Sequence, residues 1–185
     1  MMTNINASSS PDKNLSYRHA EPQDATKVAA LVNGAYRGDS SRQGWTTEAN
    51  LLEGARISSE GVHRLIIADD TIILLCSSGP DLIGCVQLQK TDDGAYLGMF
   101  VVSPLEQGNG IGKKFMLAAE ALVQELWGVR KMWMTVITVR SELIAFYERR
   151  GYVRTGRLKP FPVDAEDHIF LVDNLQFEEL EKILS

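Results

Sequence analysis

Gln107-Gly108-Asn109-Gly110-Ile111-Gly112 sets three glycines at alternate positions. The stretch directly follows the apolar run Met99-Phe100-Val101-Val102 and directly precedes a helix-like pattern. Glycine loses more backbone freedom on folding than any other residue, so this density calls for bare backbone. A strand, a glycine-rich turn and a helix N-terminus together suit an anion. The first N–H groups of the helix have no partner within it, and the helix dipole favours negative charge there. Glycines let a phosphate approach with no Cβ in the way. The same glycines also suit a tight strand-to-helix turn with no ligand. Two phosphate-binding fingerprints fail on spacing. GxGxxG would need a glycine at Lys113, and GxxxxGK[ST] would need a glycine at Gln107 and a hydroxyl at Lys114. The pattern that fits is [QR]-x-x-G-x-[GA].

The chain that must position this turn has 185 residues, 44% hydrophobic and 23% charged, which is the composition of one ordinary globular domain. Its formal net charge is −5, with Lys and Arg scattered. That balance argues against nucleic acid as a partner. The pairs Lys113-Lys114 and Arg149-Arg150 read as solvated surface. No apolar run approaches the ~18 residues of a membrane-spanning helix, and no basic segment precedes an apolar one at the N-terminus. A cytoplasmic protein with no membrane partner is therefore expected. Cys76 and Cys85 lie in apolar, strand-like runs, lack a CxxC or a His/Cys set, and read as buried free thiols; no metal is expected.

Residues 1 to 13 are polar and aperiodic and read as a disordered arm, leaving 14 to 185 as a single domain. Leu15 to Arg18 reads as a first strand. Pro22 opens a helix with Ala25, Val28, Ala29, Leu31, Val32 and Ala35 on its apolar side, ending near Arg37-Gly38. A polar loop follows from Asp39 to Gly44. A threonine of Trp45-Thr46-Thr47-Glu48 then caps a second helix carrying Leu51, Leu52 and Ala55. From Leu65 the pattern turns to β. Ile72 to Cys76, Leu82 to Gln89 and Ala95 to Val102 are joined by short turns, which predicts an antiparallel meander. Ile111 to Trp127 is the clearest helix, with Gly128 as its C-terminal cap. Lys131 to Val139 is a β-branched strand. A helix capped by Ser141 runs from there to Arg150 and stops at Gly151. Tyr152 to Arg157 and Ile169 to Phe177 read as the last strands. The whole is a mixed α/β layer structure.

The glycine pattern, the phrase GMFVVSPLEQGNGIGKKFMLAAE around it and the later phrase LIAFYERRGY resemble the two signatures of the GNAT superfamily of acyl-CoA-dependent N-acetyltransferases. The resemblance covers nearly all of the chain after residue 14, and the element order agrees with it. It implies an α/β (α+β) fold: a mixed, mostly antiparallel central sheet of about seven strands flanked by about four helices. The fourth and fifth strands, here Ala95 to Val102 and Lys131 to Val139, would splay apart. It implies acetyl-CoA as co-substrate and no metal. Phe100, Val101 and Val102 would pair with the pantetheine arm. Gln107, Gly108, Asn109, Gly110, Ile111, Gly112 and Lys113 would hold the pyrophosphate. Arg140 stands where the family often has Asn, seven residues before a tyrosine, and is placed with the cofactor-binding residues.

That tyrosine is Tyr147. The resemblance implies a general acid, since a phenol with pKa near ~10 is protonated at neutral pH and can hydrogen-bond a departing thiolate. Leu143, Phe146, Tyr147 and Arg150 also share a helical stripe, so packing is the other reading. Some histone-acetylating members carry a glutamate base on the fourth strand; Tyr96 stands there here. Glu48, Asp92, Asp93, His63, His19 and His168 remain candidates and none is assigned. Trp45 and Glu48 lie where the family builds its acceptor wall and would suit a cationic amine, or Trp45 packs into the core. The acceptor is expected to be a small-molecule or peptide amine, the enzyme a monomer or homodimer, and attack direct in a ternary complex. The alternatives are a non-catalytic acyl-CoA-binding module and a transferase with another acyl donor. Deleting residues 1 to 13 should leave melting temperature and CoA affinity unchanged; a large drop in melting temperature would show that the arm docks on the domain.

Overall fold

The computed structural model describes residues 14–162 and 169–185. The arm expected over residues 1 to 13 and the candidate His168 lie outside the described residues. In chain order the elements are β1 (Leu15–His19), α1 (Ala25–Tyr36), α2 (Gly38–Ser41), β2 (Leu52–Glu53), α3 (Ser59–Ile67), β3 (Thr71–Ser78), β4 (Asp81–Thr91), β5 (Gly94–Val102), α4 (Ile111–Trp127), β6 (Lys131–Ile137), α5 (Ser141–Glu148), β7 (Val153–Pro160), β8 (Ile169–Phe170) and β9 (Gln176–Ile183).

Seven strands form one sheet in the order β1-β3-β4-β5-β6-β9-β7. The expected meander β3-β4-β5 is antiparallel throughout, as its short connections require. The two faces are covered by different helices, which explains why β3 is apolar without alternation. Ile73, Leu75, Cys85, Met99 and Val101 pack with Val28, Val32 and Tyr36 of α1 and Val62 of α3. Leu74, Cys76, Val86, Phe100 and Val102 pack with Phe115 and Ala119 of α4 and Ile144 and Tyr147 of α5. The two cysteines are buried free thiols on opposite faces, and burial pushes them up to about 11 at Cys76 and about 12 at Cys85.

Among the described residues β5 and β6 are the one parallel pair, and they meet only at Ala95↔Met132 and Tyr96↔Trp133. Beyond those residues they part, as the fourth and fifth strands were expected to do. Two backbone features shape the parting. β4 and β5 shift register between Cys85 and Gln87, and Met99 in the bulge adopts φ 46°, a left-handed value rare outside glycine. At the start of β5, Gly94 has φ 140°, and a Cβ there would lie 2.3 Å from the Lys131 carbonyl oxygen.

Four expectations are corrected. The polar stretch from Asp39, expected as a loop, includes a one-turn helix, α2. No helix forms over Thr46 to Ala55. Thr47 instead accepts from the Ala49 N–H in a local turn, Gly54 sits at φ 93°, and Leu52 pairs with Phe170. The second long helix is α3, capped by the Ser58 hydroxyl, which accepts from the Gly61 N–H; β structure begins at Thr71 rather than Leu65. Finally, Ile169 to Phe177 is not one strand. β8 pairs with β2, and the last strand of the sheet is β9, whose sequence QFEELEKI reads as helical by propensity. β9 sits between β6 and β7, with Leu180 buried and the Glu179 carboxylate held by Arg157 at 2.8 Å. Tertiary pairing overrides the propensity.

Gly94→Ala should lower unfolding free energy by about 2–4 kcal/mol, from steric overlap with Lys131 together with the left-handed strain. Gly79→Ala, at φ 57° with open space around it, should lose only about 1 kcal/mol. Urea denaturation of both variants checks the difference; equal losses would mean that the β5–β6 joint tolerates a Cβ.

Candidate active site

Two recesses flank the parted strands. The first is a groove of about 270 Å³ beside the N-terminus of α4, lined by Trp45, Phe100, Val102, Gln107, Gly108, Gly110, Gly112, Lys113, Leu143, Phe146, Arg149 and Arg150. The second is a cavity of about 80 Å³ between β5 and β6, whose lining includes Tyr36, Glu48, Arg56, Tyr96, Arg140 and Tyr147. Phe100 and Leu143 line both, so the two recesses meet at those side chains.

The glycine turn builds the groove as its spacing suggests. Gly108 and Gly110 adopt φ 85° and 75°, and nothing would contact a Cβ at either, so backbone conformation is the demand they meet. Gly110 is the N-cap of α4 and no side chain caps the helix. The first backward bond runs from the Lys114 N–H to the Gly110 carbonyl at 3.2 Å. The N–H groups of Gly110, Ile111, Gly112 and Lys113 therefore lack an intrahelical acceptor. With Lys113, Arg149 and Arg150 on the rim, the groove fits a pyrophosphate. Gly112 serves helix packing instead, since a Cβ there would lie 3.3 Å from the Phe146 ring; its absence lets α4 and α5 approach.

Other predicted residues divide. Asn109 is exposed and outside the groove lining, while Val101 and Ile111 are buried in the core. The Gln107 side chain is held by protein: its amide donates to the Val102 carbonyl at 2.9 Å and the Thr46 hydroxyl at 3.0 Å, and it accepts from the Trp45 N–H at 2.9 Å. Gln107 thus fastens the 45–46 loop to the groove. The Phe100 carbonyl accepts from the Tyr36 hydroxyl at 2.6 Å. Of the residues expected to pair with the pantetheine arm, Phe100 and Val102 each already accept one side-chain hydrogen bond at the carbonyl. Arg149 and Arg150, expected on a solvated face, line the groove, with the Arg150 guanidinium 3.4 Å above the Phe146 ring centroid.

Tyr147, on α5, is 4% exposed and its side chain lines the cavity. Phe146 and Tyr152 meet its ring edge-on at 5.3 and 5.9 Å. Burial raises its phenol well above the ordinary tyrosine value, so the group stays protonated across the physiological range. Burial likewise pushes Tyr36 up to about 12.

Glu48 is 2% exposed and sits among three guanidinium groups. Its carboxylate lies 2.9 Å from Arg140, 3.2 Å from Arg37 and 3.3 Å from Arg56. Arg140 also donates to the Thr46 carbonyl. Arg140 is therefore tied to the 46–48 loop in the second recess rather than placed in the groove. Glu48 does not offer an unpaired charge to a cationic amine, as had been expected. Trp45 lies in the groove, its ring 5.2 Å from Phe146, and is partly exposed. Sequence reading missed Arg37 and Arg56 because nothing local marks them; only the fold brings residues 37, 48, 56 and 140 together.

The Acetyltransferase (GNAT) family model matches residues 36–152. The chain belongs to the GNAT acetyltransferase family. Solved structures agree in fold. A GNAT-family acetyltransferase from Streptococcus pneumoniae is 19% identical with TM-score 0.64, over 92% of this chain and 99% of that one. The spermidine N-acetyltransferase of Vibrio cholerae, solved with CoA and spermine, is 18% identical with TM-score 0.66, over 91% and 95%. The ribosomal-protein-S18-alanine N-acetyltransferase of Escherichia coli is 13% identical with TM-score 0.67, over 92% and 94%. No curated protein matches the chain in sequence.

Glu48→Ala would leave three buried or half-buried guanidinium groups without their carboxylate. Breaking a buried ion pair from one side typically costs about 3–5 kcal/mol, and a loss of that size is expected. Glu48→Gln keeps one acceptor oxygen and should lose less. Thermal and urea unfolding of the two variants test this; a Glu48→Ala protein as stable as the parent would show that the cluster is not a fastening.

Proposed function

We propose that the chain transfers an acetyl group from acetyl-CoA to a primary amine by direct attack in a ternary complex. The observation that carries this reading is the meeting of the two recesses. An uncapped helix N-terminus lies on one side of Phe100 and Leu143, and a buried, protonated tyrosine lies on the other. In this reading the N–H groups from Gly110 to Lys113 hold the pyrophosphate, with Lys113, Arg149 and Arg150 adding charge. The pantetheine arm follows β5 past Val102 to Phe100. That brings the thioester to the place where β5 parts from β6, and the amine approaches from the cavity.

Four demands follow from amide formation. The amine must reach the site unprotonated, the carbonyl must be held against it, the oxyanion must be stabilised, and the leaving thiolate needs a proton. A β5 backbone N–H freed by the parting polarises the carbonyl; a preorganised donor of this kind is typically worth ~3 kcal/mol of barrier. The attacking nitrogen loses its extra proton to solvent as the C–N bond forms, and Tyr147 gives its phenolic proton to the CoA sulfur as the C–S bond breaks, recovering one from solvent. No carboxylate or histidine is assigned as base. Asp93 pairs with Lys131 at 2.8 Å and lies away from both recesses. Glu48 is occupied by arginine.

Tyr147→Phe keeps the ring and removes the proton. kcat should fall by about 10²–10⁴-fold while acetyl-CoA affinity changes little, because the contact belongs to the transition state. The pH profile carries a second mark. Because the raised phenol stays protonated, kcat of the parent enzyme should rise as the amine deprotonates and show no falling limb from the acid up to about pH 10. If Tyr147→Phe turns over at the parent rate where chemistry limits, the tyrosine only packs. Thiol release from acetyl-CoA across a panel of amines separates catalysis from a binding module, and competition between acyl donors fixes the donor.

A further inference from the structure

We infer that the amine acceptor also carries an anionic group, a carboxylate first among them, which the cavity between β5 and β6 binds through Arg56 and Arg140. The inference rests on the proposed transferase reading and names the acceptor class of that same site.

Three guanidinium groups face the Glu48 carboxylate, and among the described residues it is the only acidic group that ion-pairs with any of them. The cluster thus holds positive charge that Glu48 alone does not balance. Guanidinium groups stay protonated at any working pH, so the imbalance is not relieved by losing a proton. Burying such charge is unfavourable unless it is paired and hydrogen-bonded. Some relief comes from the Tyr36 ring, which lies 4.4 Å from the Arg56 guanidinium carbon and 5.6 Å from that of Arg140. The hydrogen bonding stays incomplete. Arg37, 6% exposed, has all three guanidinium nitrogens without a hydrogen-bond partner, and so does Nε of Arg56.

Placement gives the cluster its meaning. Arg56 and Arg140 line the same cavity as Tyr147. An anion bound there stands on the acceptor side of Phe100 and Leu143, away from the groove proposed for pyrophosphate. The cavity, about 80 Å³, has room for a compact group, and a planar guanidinium matches a carboxylate by two parallel hydrogen bonds. Tyr36 and Tyr96 add hydroxyl-bearing walls. A polyamine would meet the opposite of what it needs, since its remaining ammonium groups would face arginine.

The experiment compares matched pairs of acceptors that differ only in the carboxylate: alanine against ethylamine and phenylalanine against phenethylamine, with an aminoalkylphosphonate as a second anion. kcat/KM is measured for the parent, Arg56→Gln and Arg56→Lys. The parent should favour the amino acid over its decarboxylated twin by about tenfold or more. Arg56→Gln should lose about 10–100-fold for the amino acids, the range of a charge-assisted hydrogen bond, and little or nothing for the twins. Arg56→Lys should recover part of the loss. A preference for the phosphonate would keep the anion site and change its ligand. Equal or better use of the twins would overturn the inference while leaving the transferase reading intact. If no amine is turned over, the transferase reading fails. Calorimetry of N-acetylalanine against N-ethylacetamide on the CoA-loaded protein then decides the anion site alone: tighter binding of the carboxylate, lost in Arg56→Gln, supports it, and equal binding overturns it.

Discussion

β5 and β6 run parallel, touch at two residue positions and then separate, and the site exists because they do. Parallel strands in mid-sheet normally continue their ladder, since each unpaired N–H and C=O buried away from water is costly. Here the ladder is stopped from both sides. Gly94 lets β5 close to the Lys131 carbonyl, which pins the near end. The bulge at Met99 then adds one residue to β5 against β4 and turns its edge away from β6. The backbone groups that lose their partners are taken up in part by side chains: Tyr36 donates to Phe100, and Gln107 to Val102. Residues 97–100 of β5 and 134–137 of β6 then line the second recess.

The loop over residues 44–58 is the second wall, and it has little regular structure of its own. Two fastenings hold it. At one end Gln107 bonds the Trp45 backbone and the Thr46 hydroxyl. At the other, Glu48 gathers Arg37 from the end of α1, Arg56 from just before α3, and Arg140 from the turn into α5. A buried carboxylate with three arginines is a poor source of net stability compared with apolar packing, but it specifies geometry, because each guanidinium must arrive at a fixed place. The Gly44 Cα lies close enough to Gln107 that a Cβ would sit 2.6 Å from the side-chain oxygen, which shows how tightly the first fastening is drawn.

Much of this was legible along the chain, and the rest was not, for identifiable reasons. α4 and the β3-β4-β5 meander were readable because period and punctuation agree locally: Gly110 opens the helix, Gly128 closes it, and both have left-handed φ. The glycine turn was readable because glycine reports a backbone requirement directly. β9 was not, since Glu, Leu and Lys suit a helix and only pairing with β6 and β7 makes it a strand. The stretch after Trp45 misleads because a threonine before Glu and Ala looks like a helix cap. In the fold that glutamate turns inward to arginines 8, 11 and 92 residues away in sequence, a partnership that no local window contains. Arg149 and Arg150 read as surface because a charged pair at a helix end usually is; stacking on Phe146 puts Arg150 in the groove wall instead.

The same limit applies to charge. The chain as a whole is acidic at −5, and a composition-level reading turns that into an argument against nucleic acid. The fold distributes the charge otherwise. Glu178, Glu179 and Glu181 lie on β9, where Glu179 and Glu181 face Arg157 and Glu178 faces Arg154, so these three carboxylates are paired and line neither recess. At the groove, an uncapped helix end meets Lys113, Arg149 and Arg150; in the cavity, Arg56 and Arg140 meet one glutamate, which Arg37 also faces from outside the lining. Field lines focus in recesses with low-dielectric walls, so the local sign governs what binds there while net charge governs solubility and long-range encounter. In the proposed reading, two positive recesses meeting at Phe100 and Leu143 suit a reaction in which both partners bring negative charge and only the uncharged amine and thioester come together between them.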